Sequence, residues 1–182
     1  MKKAGIPVGL LAAVIACVLI AGAGASPGPT GPVNLALHRP ASSSSIENDE
    51  HSAARANDGD PDTYWCADDE PENGAEWWQV DLGVAADLSG CQIRWPFDGM
   101  NYRFKVEGSA DLKTWSLLSD QTRSTSRARF RDLPFGNAGG IRYVRITVTG
   151  FDDGCWASIS EVKVFGSVGP GDQKSGKTGM RP

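Results

Sequence analysis

Short runs of alternating apolar and polar residues constrain the fold of this 182-residue chain more than any other feature. In one run, Tyr102, Phe104 and Val106 alternate with polar residues, and in another Val144 and Ile146 do the same. A period of two places every second side chain on one face, which is typical of a half-buried β-strand. Such strand-like runs lie at residues 77–83, 90–95, 102–109, 115–119, 127–133, 141–148 and 160–166. Together they predict an all-β fold, an antiparallel jelly-roll β-sandwich of seven or eight strands.

The first 25 residues have the features of a secretory signal peptide. Lys2 and Lys3 form a basic start, residues 8–20 are apolar, and Ala23 and Ala25 frame a small-residue cleavage site. We therefore divide the chain into a signal peptide (1–25), a flexible lead (26–32), one domain (33–166) and a disordered Gly-rich tail (167–182).

This division predicts a protein that is secreted or held in the cell envelope. An alternative remains open, because residues 14–17 resemble a lipobox that ends in Cys17. Acylation of Cys17 would anchor the protein to a membrane as a lipoprotein.

Charge and motif content argue against several function classes. Without Lys2 and Lys3, 16 basic residues face 22 acidic ones, a net charge near −6. Such a chain gains nothing from phosphate backbones, so nucleic acid is not an expected partner. The chain has only two histidines, His38 and His51, and none of the common catalytic motifs. We therefore expect a protein that is not an enzyme.

An oxygen-rich loop follows residue 55. Asp58, Asp60 and Thr63 offer hard oxygen ligands within six residues, and Gly59 permits a tight turn between two of them. Glu161 is the best distant residue to complete an oxygen shell for calcium. The spacing is not that of an EF-hand, and an ordinary Asx turn with solvated carboxylates is the alternative.

Three cysteines follow the signal peptide: Cys66, Cys91 and Cys155. An odd number permits at most one intramolecular pair. If one ion binds both Thr63 and Glu161, Cys66 and Cys155 come close together, and we predict a disulfide between them. Cys91 alternates with apolar residues and is expected to face inward. Three free thiols are the alternative.

Six motifs, taken in order, resemble the discoidin-like domain, also called the coagulation factor V/VIII type C domain. They are NLALHRPASSSS, RANDGDPDTYW, WWQVDLG, RFKVEGSADLKTW, RYVRITVTG and ISEVKVFG. Bacterial carbohydrate-binding modules of family 32 share this fold. The resemblance implies an eight-stranded jelly roll that is galactose-binding-domain-like, with a ligand-binding surface on loops at one end.

Many bacterial members of that family carry one structural calcium ion. The ligand set that the resemblance implies here consists of the carbonyl of Arg55, Asp58, Asp60, Thr63, the carbonyl of Ser160, and Glu161. Six oxygen donors suit calcium, which takes six to eight.

Sugar binding needs a flat apolar surface and polar groups around it. Trp95 and Trp156 are the predicted platforms, and Asp98, Asp152 and Asp69 the predicted acceptors. The alternative is that both tryptophans cap the core.

The four remaining tryptophans and His51 have other predicted positions. Trp65, Trp78 and Trp115 are expected in the core, whereas Trp77 is open to either assignment. His51 is a further candidate sugar contact, but its loop departs from the common galactose-binding pattern.

These observations predict a secreted, non-catalytic, lectin-like module with a structural calcium site and a glycan or glycoconjugate partner. The alternative is an adhesion module that binds a surface or matrix protein.

Overall fold

Eight β-strands and two short 3-10 helices make up the part of the chain that the computed structural model describes, residues 33–68 and 75–169. The strands are β1 (Ala41–Ser43), β2 (Trp65–Cys66), β3 (Glu76–Arg94), β4 (Tyr102–Ser109), β5 (Ser116–Gln121), β6 (Phe130–Phe151), β7 (Ser158–Ile159) and β8 (Glu161–Val168). The 3-10 helices are Asp49–His51 and Ala53–Ala56. No helix in these two ranges is long and apolar enough to cross a membrane. The predicted signal peptide and lead, and the tail from residue 170, lie outside the described residues.

The strands pair in antiparallel fashion, in the order β1–β3–β6–β4–β5, with β8 also paired to β3, while β2 and β7 form a separate two-stranded ribbon. The long strands β3 and β6 each contribute to both layers. The first half of β3 lies between β1 and β6, and its second half lies between β6 and β8. Register shifts between Asp81 and Gly90 mark the change of layer, as β-bulges do at sheet bends. The predicted antiparallel β-sandwich is therefore confirmed.

Side chains from both halves of β3 share one hydrophobic core. Trp78 comes from the first half and Ile93 from the second, and both are fully buried. Trp65 and Trp78 lie in this core as predicted. Their indole N–H groups donate to the carbonyls of Ser45 and Ala53, so burial leaves neither group unpaired.

The final strand joins the two ends of the described domain. Strand β8 continues through Ser167 to Val168, both paired with β3 and both beyond residue 166, where the sequence places the domain boundary. At the other end, the Asn34 side chain accepts a hydrogen bond from the backbone N–H of Val164 at 3.0 Å.

The predicted disulfide between Cys66 and Cys155 is not formed. The Cys66 thiol donates to the carbonyl of Ala67 at 3.5 Å, whereas the Cys155 sulfur accepts from the Tyr102 hydroxyl at 3.7 Å. Each sulfur is thus directed to a different partner. Cys91 faces inward as predicted, and burial raises the pKa of its thiol to about 12.

Candidate functional site

The predicted metal ligands lie in the loop that follows the 3-10 helix Ala53–Ala56. Asn57 anchors this loop, because its buried side-chain amide donates to the carbonyls of Ala36 and Arg39 at 2.7 and 2.9 Å. Gly59 has a φ of 82°, a left-handed conformation that a residue without a Cβ adopts readily. The turn at Gly59 brings Asp58, Asp60 and Thr63 close to one another.

The hydroxyl of Thr63 is the centre of an oxygen cluster. It lies 3.0 and 2.9 Å from the two carboxylate oxygens of Asp58, 3.1 Å from the carbonyl of Asp60 and 3.3 Å from the carbonyl of Arg55. A hydroxyl has one proton to donate, so it satisfies only one of these four acceptors at a time. Other donors lie close by: the backbone N–H groups of Asp60 and Thr63 donate to Asp58 Oδ1 and to the carbonyl of Asp60, and Arg55 Nη1 lies 3.6 Å from Asp58 Oδ2.

Glu161 reaches the same loop from the start of β8. Its Oε2 accepts from the backbone N–H of Gly59 at 3.2 Å, while its Oε1 is buried and lacks a hydrogen-bond partner among the described residues. Burial, together with the negative charge of Asp58, raises the pKa of Glu161 to about 7. A buried carboxylate of this kind needs a counter-charge.

These residues fit a hard divalent cation by their chemistry. The described residues contain no cluster of three or more His, Cys, Asp or Glu side chains suited to a metal. The donors are instead two carboxylates, one hydroxyl and backbone carbonyls, which is the mixture that calcium accepts. Asp60 contributes its carbonyl to the cluster, and its Oδ1 accepts from the N–H of Asp62. Ser160 is buried beside Glu161 in the chain, and its N–H donates to the carbonyl of Arg94.

Trp95 is not a ligand platform, and this prediction is wrong. Only 1% of Trp95 is exposed. Its ring stacks on Tyr102 with centroids 4.2 Å apart and meets the edge of Phe104 at 5.1 Å. The residue belongs to the core, so the alternative that it packs under the loops holds for Trp95.

The structure describes two of the three predicted acceptors, and Arg127 joins their loops, because it donates to the carbonyl of Gly99 beside Asp98 and contacts Asp152. Asp98 is exposed at a turn, where it accepts from the N–H of Gly99. Asp152 is already engaged, because its Oδ2 contacts Arg127 Nη1 at 2.7 Å and accepts from the N–H of Asn101. Asp69 lies outside the described residues.

Trp156 is exposed, at 42% of its surface, and lies two residues before β7. At the other end of the β2–β7 ribbon, Tyr64 precedes β2 and stacks on His51 with centroids 4.1 Å apart. Phe97, 38% exposed, meets Tyr64 edge-on at 6.1 Å, and Glu47 lies 3.6 Å from His51.

We call Trp156, Tyr64, His51 and Phe97 the ribbon surface. The sequence predicts Trp156 and His51 as ligand contacts, but not Tyr64 or Phe97. Tyr64 is half-buried directly before the buried Trp65, whereas Phe97 is exposed in a loop in which Pro96 and Gly99 signal a turn.

Trp77 and Trp115 lie elsewhere. Trp115 is half-buried rather than in the core as predicted, because it precedes β5, the strand at one end of the sheet order. Trp77 is half-buried too, and Arg145 lies between the two rings, with its guanidinium carbon 4.6 Å from the Trp77 centroid and 4.1 Å from that of Trp115.

Comparison with known proteins identifies solved structures that share this fold. The chain is similar to chitosan-binding module 1 from a chitosanase/glucanase of Paenibacillus sp. IK-5, with a TM-score of 0.64 and 26% identity over 74% of this chain and 99% of the module. It is similar to the lectin domain of lectinolysin, solved with Lewis B antigen, with a TM-score of 0.55 and 25% identity over 75% and 98% of the two chains.

A third structure, the Clostridium perfringens module CpGH89CBM32-4 in complex with GlcNAc-α-1,4-galactose, shares the fold at 23% identity, with a TM-score of 0.63 over 77% of this chain and 98% of that one. No curated protein sequence matches the chain significantly. The family model of the F5/8 type C domain matches residues 40–162, most of the described domain. The chain therefore belongs to the F5/8 type C, or discoidin-like, domain family.

Proposed function

We propose that this chain is a non-catalytic carbohydrate-binding module whose ribbon surface contacts a glycan. The observation that carries the proposal is the exposure of Trp156 at 42% in a domain whose core encloses Trp65, Trp78 and Trp95. An exposed indole is a flat apolar surface on which a pyranose face can stack. The relatives support the ligand class, since one is a chitosan-binding module and another is a lectin domain solved with Lewis B antigen.

The geometry of the ribbon favours an oligosaccharide over a single sugar. Trp156 and Tyr64 lie at opposite ends of the short β2–β7 ribbon, in which Trp65 pairs with Ile159. The ribbon spans roughly 13 Å between them, at about 3.3 Å per residue. A ligand that contacts both aromatic side chains must bridge this distance.

A glycan array probed with the labelled protein in millimolar calcium tests this function. We expect hits that share one terminal sugar or linkage, and we expect Trp156→Ala to lose them while its melting temperature stays within a few degrees of wild type. Phe130→Ala is the matched control, because Phe130 is also an exposed aromatic residue, at 52%, but lies in β6. A folded protein that binds no glycan on the array would contradict the proposal and favour the protein-adhesion alternative.

We further propose that calcium binds the oxygen cluster and stabilises the fold. The side chains of Asp58, Thr63 and Glu161 and the carbonyls of Arg55, Asp60 and Ser160 would hold the ion. The buried, unpaired Oε1 of Glu161 supports this assignment. Calcium would add positive charge to that of Arg55, which lies 3.6 Å from Asp58, and would tie the loop to β8.

A thermal melt with and without calcium tests this site. For a dissociation constant of about 10⁻⁴–10⁻³ M, millimolar calcium adds roughly 0.5–1.5 kcal/mol to the free energy of unfolding. Asp58→Asn should abolish the calcium-dependent rise in melting temperature. Asp62→Asn, in the same loop but outside the cluster, should keep it. A full calcium response in Asp58→Asn would refute the assignment.

Secretion and lipidation at Cys17 remain alternatives for where the protein acts. Mass spectrometry of the mature N-terminus separates them. A chain that starts near residue 26 indicates secretion, and an acylated Cys17 indicates an anchored lipoprotein.

A further inference from the structure

A groove of about 870 Å³ crosses the outer face of strands β3, β6 and β4 and extends to Asp68, which lies two residues after β2. The cross-strand register builds it in two rows. Trp77, Thr147 and Lys105 are neighbours in one row, and Gln79, Arg145 and Glu107 are neighbours in the next. The six side chains that define its chemistry are Glu76, Trp77, Lys105, Glu107, Trp115 and Arg145.

Two indole rings in this groove are held in place by one cation. The guanidinium of Arg145 lies between Trp77 and Trp115, and its Nε and Nη2 both donate to the side-chain oxygen of Gln79, at 3.1 and 2.8 Å. Such cation–π contacts fix the ring orientations before any ligand arrives. Both rings are half-buried, so part of each remains open to the groove.

The polar lining of the groove offers both acceptors and donors. Glu76 is 7% exposed, and its Oε2 accepts from the hydroxyls of Ser44 and Ser45. No ion pair holds Glu76 within the part of the chain that the structure describes. Lys105 and Glu107 form a pair across 2.9 Å on the groove floor. Aromatic surface bordered by carboxylates and amines is the lining expected of a site for hydroxyl-rich ligands.

The lining also distinguishes between classes of ligand. The groove lies on a sheet face, so an extended peptide cannot add a strand there. Its polar lining does not suit a lipid tail. Three carboxylates, those of Glu76, Glu107 and Asp68, face two cations, Lys105 and Arg145, and the whole chain has a formal charge of −4. An acidic polysaccharide is therefore disfavoured.

We propose that this groove is a second carbohydrate site, which takes a neutral or basic pyranose oligosaccharide. The ligand class rests on the proposed carbohydrate-binding function, but the groove shares no member with the ribbon surface. A volume of about 870 Å³ lies within the range of ligand pockets and is larger than one sugar ring needs.

The test is a titration of the isotope-labelled protein with chitotriose, followed by NMR of the indole N–H signals of its six tryptophans. Chitotriose is basic, its fully N-acetylated form is neutral, and trigalacturonic acid is the acidic counterpart. We expect the Trp77 and Trp115 signals to shift with at least one of the first two sugars and not with the acid. The signals of the buried Trp78 and Trp95 are internal controls.

Variants then assign the affinity to a site. Trp115→Ala should weaken the binding seen at Trp77 at least tenfold, while Trp156→Ala should leave it unchanged. Phe130→Ala is a control, because Phe130 is 52% exposed at the start of β6 and does not line the groove. The wild-type titration does not depend on any variant folding.

The outcomes distinguish the two sites. Shifts of Trp77 and Trp115 without a shift of Trp156 support the groove and contradict the ribbon surface. Shifts of Trp156 alone, or no shift of Trp77 and Trp115 with any neutral or basic trisaccharide, overturn the groove proposal.

Discussion

Replacement of Trp95 by alanine separates a structural tryptophan from a binding one. Trp95 is 1% exposed and packs against Tyr102 and Phe104. Truncating a buried tryptophan to alanine costs about 3–5 kcal/mol of unfolding free energy. The indole N–H of Trp95 is buried without a hydrogen-bond partner among the described residues. The substitution removes this unpaired group, which offsets part of the loss of unfolding free energy. We therefore expect a loss near the lower limit, about 3 kcal/mol.

Thermal unfolding followed by circular dichroism measures this loss. For a domain of this size, about 3 kcal/mol corresponds to a fall in melting temperature of roughly 10 °C. Trp95→Phe keeps an aromatic ring on Tyr102, so it should lose less than half as much. Trp156→Ala should change the melting temperature by only a few degrees, because Trp156 is 42% exposed.

The combination of stability and binding decides between the two roles. The reasoning is refuted if Trp95→Ala melts like wild type but no longer binds glycan. That result would return Trp95 to the role of a platform and would mean that its stacking on Tyr102 is not formed in solution.

Three further predictions concern charge and packing. Without calcium at pH 8, Glu161→Gln should raise the free energy of unfolding by about 1–2 kcal/mol, because the raised pKa of Glu161, about 7, makes its ionised form costly in the folded state, and solvent screens part of that cost. Denaturant titrations should show that this gain vanishes below pH 4, where the carboxyl group is protonated in both states. Gly166→Ala should cost about 1–3 kcal/mol in the same assay, because a Cβ there would collide with the carbonyl of Asp87. Hydrogen bonds from Arg142 lower the pKa of Asp81, so the small destabilisation by Asp81→Asn at pH 7 should disappear as the pH falls through that lowered pKa. A destabilisation by Asp81→Asn that stays the same as the pH falls would contradict this prediction.

The alternation of apolar residues predicted the sandwich because it reports directly on burial. The same alternation contained the correct place of Trp95, since Cys91, Ile93 and Trp95 occupy every second position and all three are buried. The prediction of a platform gave more weight to the loop that follows Trp95 than to the period of the strand. Trp77 is out of phase with the buried Trp78, and its outward position was readable in the same way.

Long-range pairing could not be read from local patterns. Glu161 meets the Asp58 loop because β8 pairs with the end of β3. The sequence offered Glu161 as a candidate partner of that loop, but only the resemblance to the family supplied the full ligand set. Arg145 reaches Trp115 because β6 lies beside β4, which in turn pairs with β5. Nothing in the spacing of residues 77, 115 and 145 shows that they share a groove.

The six tryptophans show how phase, rather than residue type, separates core from surface in this fold. Trp65, Trp78 and Trp95 are 1% exposed or less, and the last two are in phase with buried neighbours along β3. Trp77 has the opposite phase in that same strand, and the exposed Trp156 follows the turn at Gly154, outside any strand. A tryptophan that the strand period does not direct inward loses hydrophobic stabilisation by remaining exposed. Trp77 and Trp115 in the groove, and Trp156 on the ribbon surface, are therefore the side chains at which we propose that a bound glycan recovers that stabilisation.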